Sequence, residues 1–256
     1  MTIVTVPPDI GEPDEFRPFW RTPPEGDRLA KLWRVSTTGG RVCLEVTLNG
    51  ALPRLDLFSD GSALVVYRRC EEPDDQNAAI LSPSGELEAR FVLGEAIENV
   101  LIDERDRFWI GYFDEADFCR FRCFERNGTE VGLESPCTFD LPTFNFTRRG
   151  LLCTYQYYNG DILSAVSSIE ADGRHRLLKD RIDGVIHAVV ESPQGLILDL
   201  SDIHREPERR ALVHLGQDGE EELSFTWPAE PDSLQSFGRG SVLNFVAGPL
   251  WYQLSL

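Results

Sequence analysis

Ile97–Tyr112 reads IENVLIDERDRFWIGY. Two short runs rich in Ile, Val, Leu, Phe, Trp and Tyr flank the acidic turn Asp103-Glu104-Arg105-Asp106. Such runs suit strands, and an Asp at the turn tolerates the left-handed backbone a tight reversal needs. Asp106 is one beat of a longer rhythm. Gly40, Gly61, Gly85, Asp106, Gly128, Gly150, Gly173, Gly195, Gly219 and Gly240 recur about every 22 residues, nearly always between β-rich runs. Taken alternately they give two series, each with a period near 45 (61, 106, 150, 195, 240 and 40, 85, 128, 173, 219). Two tight turns per unit of 40 to 50 residues is the rhythm of a four-stranded propeller blade.

Aligning the units on the first series predicts five blades, with strands A to D in each. Leu55, Val100, Phe144, Val189 and Leu234 all stand six residues before an anchor, and all are apolar, as strand A requires between neighbouring blades. Four blades are continuous, at about 51–93, 95–133, 141–179 and 185–227. The fifth is expected to be shared, with Ser233–Ala247 joined by Lys31–Thr37 and Val42–Leu48. Closure of that kind removes exposed sheet edges. Leu250–Leu256 also reads as a strand and competes with Lys31–Thr37 for the third position. The fold class is therefore an all-β, five-bladed β-propeller over 29–256, preceded by a Pro-rich acidic segment, 1–28. Six prolines bar that segment from a central strand or helix. Its Phe16, Phe19 and Trp20 suit it to lie across the domain.

The acidic turn followed by the aromatic strand of Phe108–Tyr112 resembles the repeats of NHL-like and sensor-type bacterial propellers. That resemblance implies the fold and leaves the ligand open. No Trp-Asp dipeptide closes the blades, and paired glycine occurs only at Gly39-Gly40, so WD40 and kelch grammars are absent.

Composition narrows function. The formal net charge is −18, which repels nucleic-acid phosphates and anionic membranes and favours basic partners. No apolar run reaches the length of a membrane span, and Met1–Ile10 does not read as a secretory leader. A cytoplasmic chain with reduced thiols is expected. Cys119, Phe121 and Cys123 alternate on one strand face, as buried packing residues would. The four histidines show no metal-ligand spacing, so no metal or cofactor is assigned; Ca²⁺ in a channel is the one alternative.

Two candidate regions follow. The first is a ring of polar residues at the start of strand A, near the mouth of the channel: Arg54, Asp56, Glu98, Asn99, Asn145, His187, Asp232 and Gln235. It suits a small polar ligand or a cation. If Asp56, Glu98 and Asp232 lay 5 to 10 Å apart, glycoside hydrolysis would be open to them. The second is an acidic loop face between strands B and C and between D and A. It carries Glu71, Glu72, Asp74, Asp75, Asp114, Glu115, Asp117, Asp199, Asp202, Glu206, Glu208, Glu230 and Asp232. The opposite face mixes signs, with Arg105, Arg107, Arg126, Arg148, Arg149, Arg174 and Arg239 among its acids. No G-x-S-x-G elbow, H-E-x-x-H pair or P-loop is present. The expected function is a non-catalytic module docking a basic protein, for example as an immunity or antitoxin-like inhibitor. A small-molecule or cation site in the channel is the alternative.

Overall fold

The computed structural model describes residues 3–5, 27–35, 41–70, 74–113, 121–132, 143–148, 150–158, 162–170, 174–202, 209–216, 219–223, 235–247 and 250–255. Among them the secondary structure is all strand. Four sheets have four strands each, hydrogen-bonded in chain order as antiparallel meanders. The first is β4 (Ala51–Leu57), β5 (Ala63–Arg69), β6 (Ala78–Leu81) and β7 (Leu87–Phe91). The second is β8 (Ile97–Ile102), β9 (Phe108–Tyr112), β10 (Phe121–Phe124) and β11 (Glu130–Val131). The third is β12 (Thr143–Thr147), β13 (Gly150–Tyr158), β14 (Ile162–Ile169) and β15 (His175–Asp183). The fourth is β16 (Val185–Ser192), β17 (Gly195–Asp202), β18 (Arg209–Gly216) and β19 (Gly219–Leu223). The fold class is that of a five-bladed β-propeller.

Two three-stranded sheets complete the strand set: β1 (Ile3–Thr5), β2 (Asp27–Val35) and β3 (Arg41–Asn49) near the N-terminus, and β20 (Gln235–Arg239), β21 (Val242–Ala247) and β22 (Leu250–Ser255) near the C-terminus. The third place in the C-terminal sheet thus goes to Leu250–Ser255, and the segments expected to complete that sheet, Lys31–Thr37 and Val42–Leu48, instead contribute to β2 and β3 of the separate N-terminal sheet. The reason is local: Ala247 pairs with Leu250, so the hairpin closes over two residues at little entropic cost. Strands β2 and β3 pair through nine register positions, and β1 adds to β2 at the edge. An edge is where a segment rich in proline can still pair. Phe16, Phe19 and Trp20 lie outside the described residues.

The turns repeat as closely as the strands. Gly61, Gly85, Asp106 and Gly128 each donate their N–H to the carbonyl three residues back, on Phe58, Ser82, Asp103 and Glu125. Those same four residues donate to the carbonyl of the residue after the anchor. This is the hairpin in which a turn ends on a left-handed residue. Asp106 takes that conformation (φ 58°) although it is not glycine. At Gly128 (φ +83°) a Cβ would stand 2.4 Å from the Phe91 ring, so the turn and the neighbouring strand's packing both demand glycine.

The chain divides into two compact units, Met1–Ile110 with Phe124–Glu130 and Gly111–Cys123 with Val131–Leu256. In the first, Val46 and Leu48 of β3 pack with Ala63, Val65, Tyr67, Ala79 and Leu81. Phe108 stacks on Phe124 with ring centroids 5.1 Å apart and meets Phe91 at a tilt, 5.8 Å away. In the second, adjacent residues of β16 serve two cores: Val189 packs with Leu152, Val166 and Leu198, whereas Val190 packs with Leu212, Leu243 and Phe245. A strand sandwiched on both faces needs an apolar run, not alternation, which is why VIHAVVES reads as it does. Phe121 and Cys123 are buried as the alternation predicts; Cys119 lies outside the described residues.

Candidate functional site

The start of the first strand of each sheet is where the polar ring was expected. In the first unit, Arg54 and Asp56 stand on β4, and Glu98 and Asn99 on β8. Asp56 is nearly buried, and its carboxylate accepts two backbone N–H groups, from Leu57 (2.8 Å) and from Ile102 of the next sheet (2.7 Å). It latches one strand to the next. Glu98 is held by two arginines. Arg68 of β5 forms an ion pair with its Oε2 and donates through Nε to the Ile97 carbonyl at 2.8 Å. Arg54 approaches Oε1 at 3.7 Å and donates through Nε to the Glu98 carbonyl at 3.3 Å. Burial, then the neighbouring Arg54 and Arg69, pull the Arg68 guanidinium down to about 10. Burial also lowers Arg54.

In the second unit the corresponding strands close on one another. Asn145 of β12 is fully buried. Its Nδ2 donates to the carbonyls of Val189 (2.8 Å) and Gly240 (2.9 Å), and its Oδ1 accepts the Gly240 N–H at 2.8 Å. Gly240 also donates to the Phe146 carbonyl and accepts from Glu191 N–H. A Cβ on Gly238 would sit 2.3 Å from the Val189 carbonyl. Strands β12, β16 and β20 are therefore in mutual backbone contact where Asn145 was expected to face open water. His187 of β16 shares a 2.6 Å hydrogen bond with Ser201 of β17, and its carbonyl accepts from the Thr143 hydroxyl. Gln235 is exposed. Asp232 lies outside the described residues.

The separations in sequence are telling. Arg54 to Glu98 and Thr143 to His187 span 44 residues, Asp56 to Ile102 spans 46, Ser59 to Asp106 spans 47, and Arg148 to Glu191 spans 43. Each bond joins positions of neighbouring repeats that lie within two residues of equivalence, about one period apart. Most of the polar residues read as ligands are joints between repeats.

Of the acidic loop face, Asp74 is exposed and Asp75 half-buried. Asp202 ends β17, where it pairs with Arg209. Glu71, Glu72, Asp114, Glu115, Asp117 and Glu206 lie outside the described residues. Asp199 is corrected: it is fully buried, and Arg210 donates to both its oxygens, at 2.8 and 2.6 Å. Arg210 also reaches the Ser236 hydroxyl at 3.0 Å. On the mixed face, Arg107 is spent on Asp103, which also accepts from Trp109 Nε1. Arg126 lies between Asp60 and Glu88, over the Phe58 ring.

No family model matches the chain, and no curated protein matches it. No described helix is long and apolar enough to cross a membrane, and no described group of three or more His, Cys, Asp and Glu residues is placed to hold a metal ion. Sequence reasoning missed Arg68 and Ser201. The Arg54–Val66 pairing puts Arg68 diagonally beside Arg54, a relation visible once the hairpin register is drawn from the Gly61 turn.

Proposed function

We propose that this chain is a non-catalytic binding module that docks a basic protein through the acidic loops following the second strand of its blades. The observation that carries the reading is a formal charge of −18, with acids recurring in that loop of three sheets. These are Glu71, Glu72, Asp74 and Asp75; Asp114, Glu115 and Asp117; and Glu206 and Glu208. Loops on a rigid sheet scaffold are where binding residues collect. A field of one sign raises the rate of encounter with an oppositely charged partner. The commitment of Asp56, Asn145 and Glu98 to bonds within the fold supports a binding role over carboxylate catalysis. An NHL-like, cytoplasmic module inhibiting a cationic toxin is the concrete form of this reading.

The test compares capture by the full chain with capture by a variant carrying Glu71→Gln, Glu72→Gln, Asp74→Asn and Asp75→Asn. A basic protein retained by the unaltered chain, lost from the variant and released as salt rises is the expected result. Equal capture by both chains, or capture insensitive to salt, refutes the proposal.

A further inference from the structure

Arg54 and Arg68 lie on one face of the β4–β5 hairpin, because Arg54 pairs with Val66, two residues before Arg68. Both guanidinia point at Glu98, and Arg69 lies beside them with its Nη1 3.4 Å from Glu95. Two guanidinia thus share one carboxylate, Glu98, in a chain of formal charge −18. The cluster is half-sheltered: the side chains of Arg68 and Glu98 are 19% and 22% exposed. Arg68 is firmly seated by Glu98 and the Ile97 carbonyl. Arg54 is not, since its contacts at 3.7 and 3.3 Å fall beyond good charge-assisted hydrogen-bond length, and 39% of its side chain faces solvent. Glu98 already shows what the cluster accepts, a carboxylate set between one nitrogen of Arg68 and one of Arg54. Two guanidinia facing one point disfavour a cation there.

We propose that Arg54 and Arg68 bind the carboxylate or phosphate group of a small anionic ligand, which displaces Glu98 from Arg54. Guanidinium forks match either oxyanion through paired N–H···O bonds. Glu98 acts as the resident competitor that keeps the two arginines apposed when the ligand is absent. The site uses none of the acidic loop residues, so its failure would leave partner docking untouched.

Sodium phosphate and sodium succinate, titrated separately into the full chain at fixed ionic strength, test this by calorimetry and thermal shift. Saturable binding of at least one is expected, and the better of the two identifies the oxyanion preferred. Arg54→Gln and Arg68→Gln should each weaken binding by at least ~10-fold, whereas Glu98→Gln, which keeps the shape and removes the competitor, should tighten it by ~10-fold. Arg174→Gln, on an exposed side chain outside the cluster, should leave affinity unchanged. If Arg68→Gln does not fold, the half-exposed Arg54→Gln carries the test. No saturable binding of either anion to the unaltered chain and to Glu98→Gln, or an affinity unmoved by Arg54→Gln, overturns the proposal.

Discussion

Replacing Asn145 by Ala should cost the second unit more stability than any exposed substitution in it. The side chain makes three hydrogen bonds of 2.8–2.9 Å at a fully buried position. A buried hydrogen bond contributes about 1 kcal/mol net, so the three together give roughly 3 kcal/mol. The groups left behind are not equally stranded. Gly240 keeps a second acceptor in Phe146 and a second donor in Glu191, so the Val189 carbonyl, which faces the lost amide, bears most of the remaining cost. The expected loss is about 3–4 kcal/mol, a large part of an ordinary domain's 5–15 kcal/mol. In a chain of this size it lowers Tm by roughly 6–16 °C. Asn145→Asp removes the two donated bonds and sets a carboxylate against two carbonyl oxygens, so it should cost at least as much as Ala. Urea unfolding followed by tryptophan fluorescence measures both variants. An Ala variant destabilised by less than ~1 kcal/mol would refute the view that this amide joins three strands.

Other outcomes follow from groups placed as clearly. His175 has a buried Nε2 with no hydrogen-bond partner among the described residues, and burial lowers its pKa. Its stabilising contribution is therefore present above the unfolded value of ~6.5 and lost as pH falls below it. His175→Phe should match or exceed the unaltered chain in stability and flatten the unfolding midpoint between about pH 7 and 5. Asp60 is held down to about 2, chiefly by the Ser62 N–H and then by the Arg126 guanidinium. Its contribution is present above the unfolded value of ~3.9 and fades as pH falls towards the folded one, so Asp60→Asn should soften the acid side of a stability–pH curve there. Burial pushes the Cys70 and Cys153 thiols up to about 12. Iodoacetamide at about pH 8 should leave both unmodified in the folded chain, by peptide mass spectrometry, and label them once urea unfolds it.

The architecture was legible because its signal is local and repeated. Several of the tight hairpins put one residue into left-handed backbone, and the chain marks it with Gly61, Gly85 or Gly128, or once with Asp106. Phe144 and Val189, read as packing positions six residues before an anchor, are buried as expected. The site was harder to read because a polar residue at a fixed place on strand A has two fates that look alike in sequence. It can face water, as Gln235 does, or it can face the backbone of another strand, as Asp56 and Asn145 do. Only the distance between strands decides. Asp199 was read as a surface acid for a similar reason: its partner Arg210 lies 11 residues away, and their pairing depends on the alignment of β17 with β18.

Asn145 is joined to a residue 95 positions later in the chain. On a ribosome, its Nδ2 can meet the Val189 carbonyl first, but its Oδ1 waits for Gly240 to be made. At a synthesis rate of ~5–20 residues per second, the wait is roughly 5–19 s. Strand β16 emerges part-way through that interval, and Gly238 and Gly240 follow it to meet the Val189 carbonyl and the Asn145 amide. Birth order thus makes Gly238–Gly240 the segment that completes the joint among β12, β16 and β20.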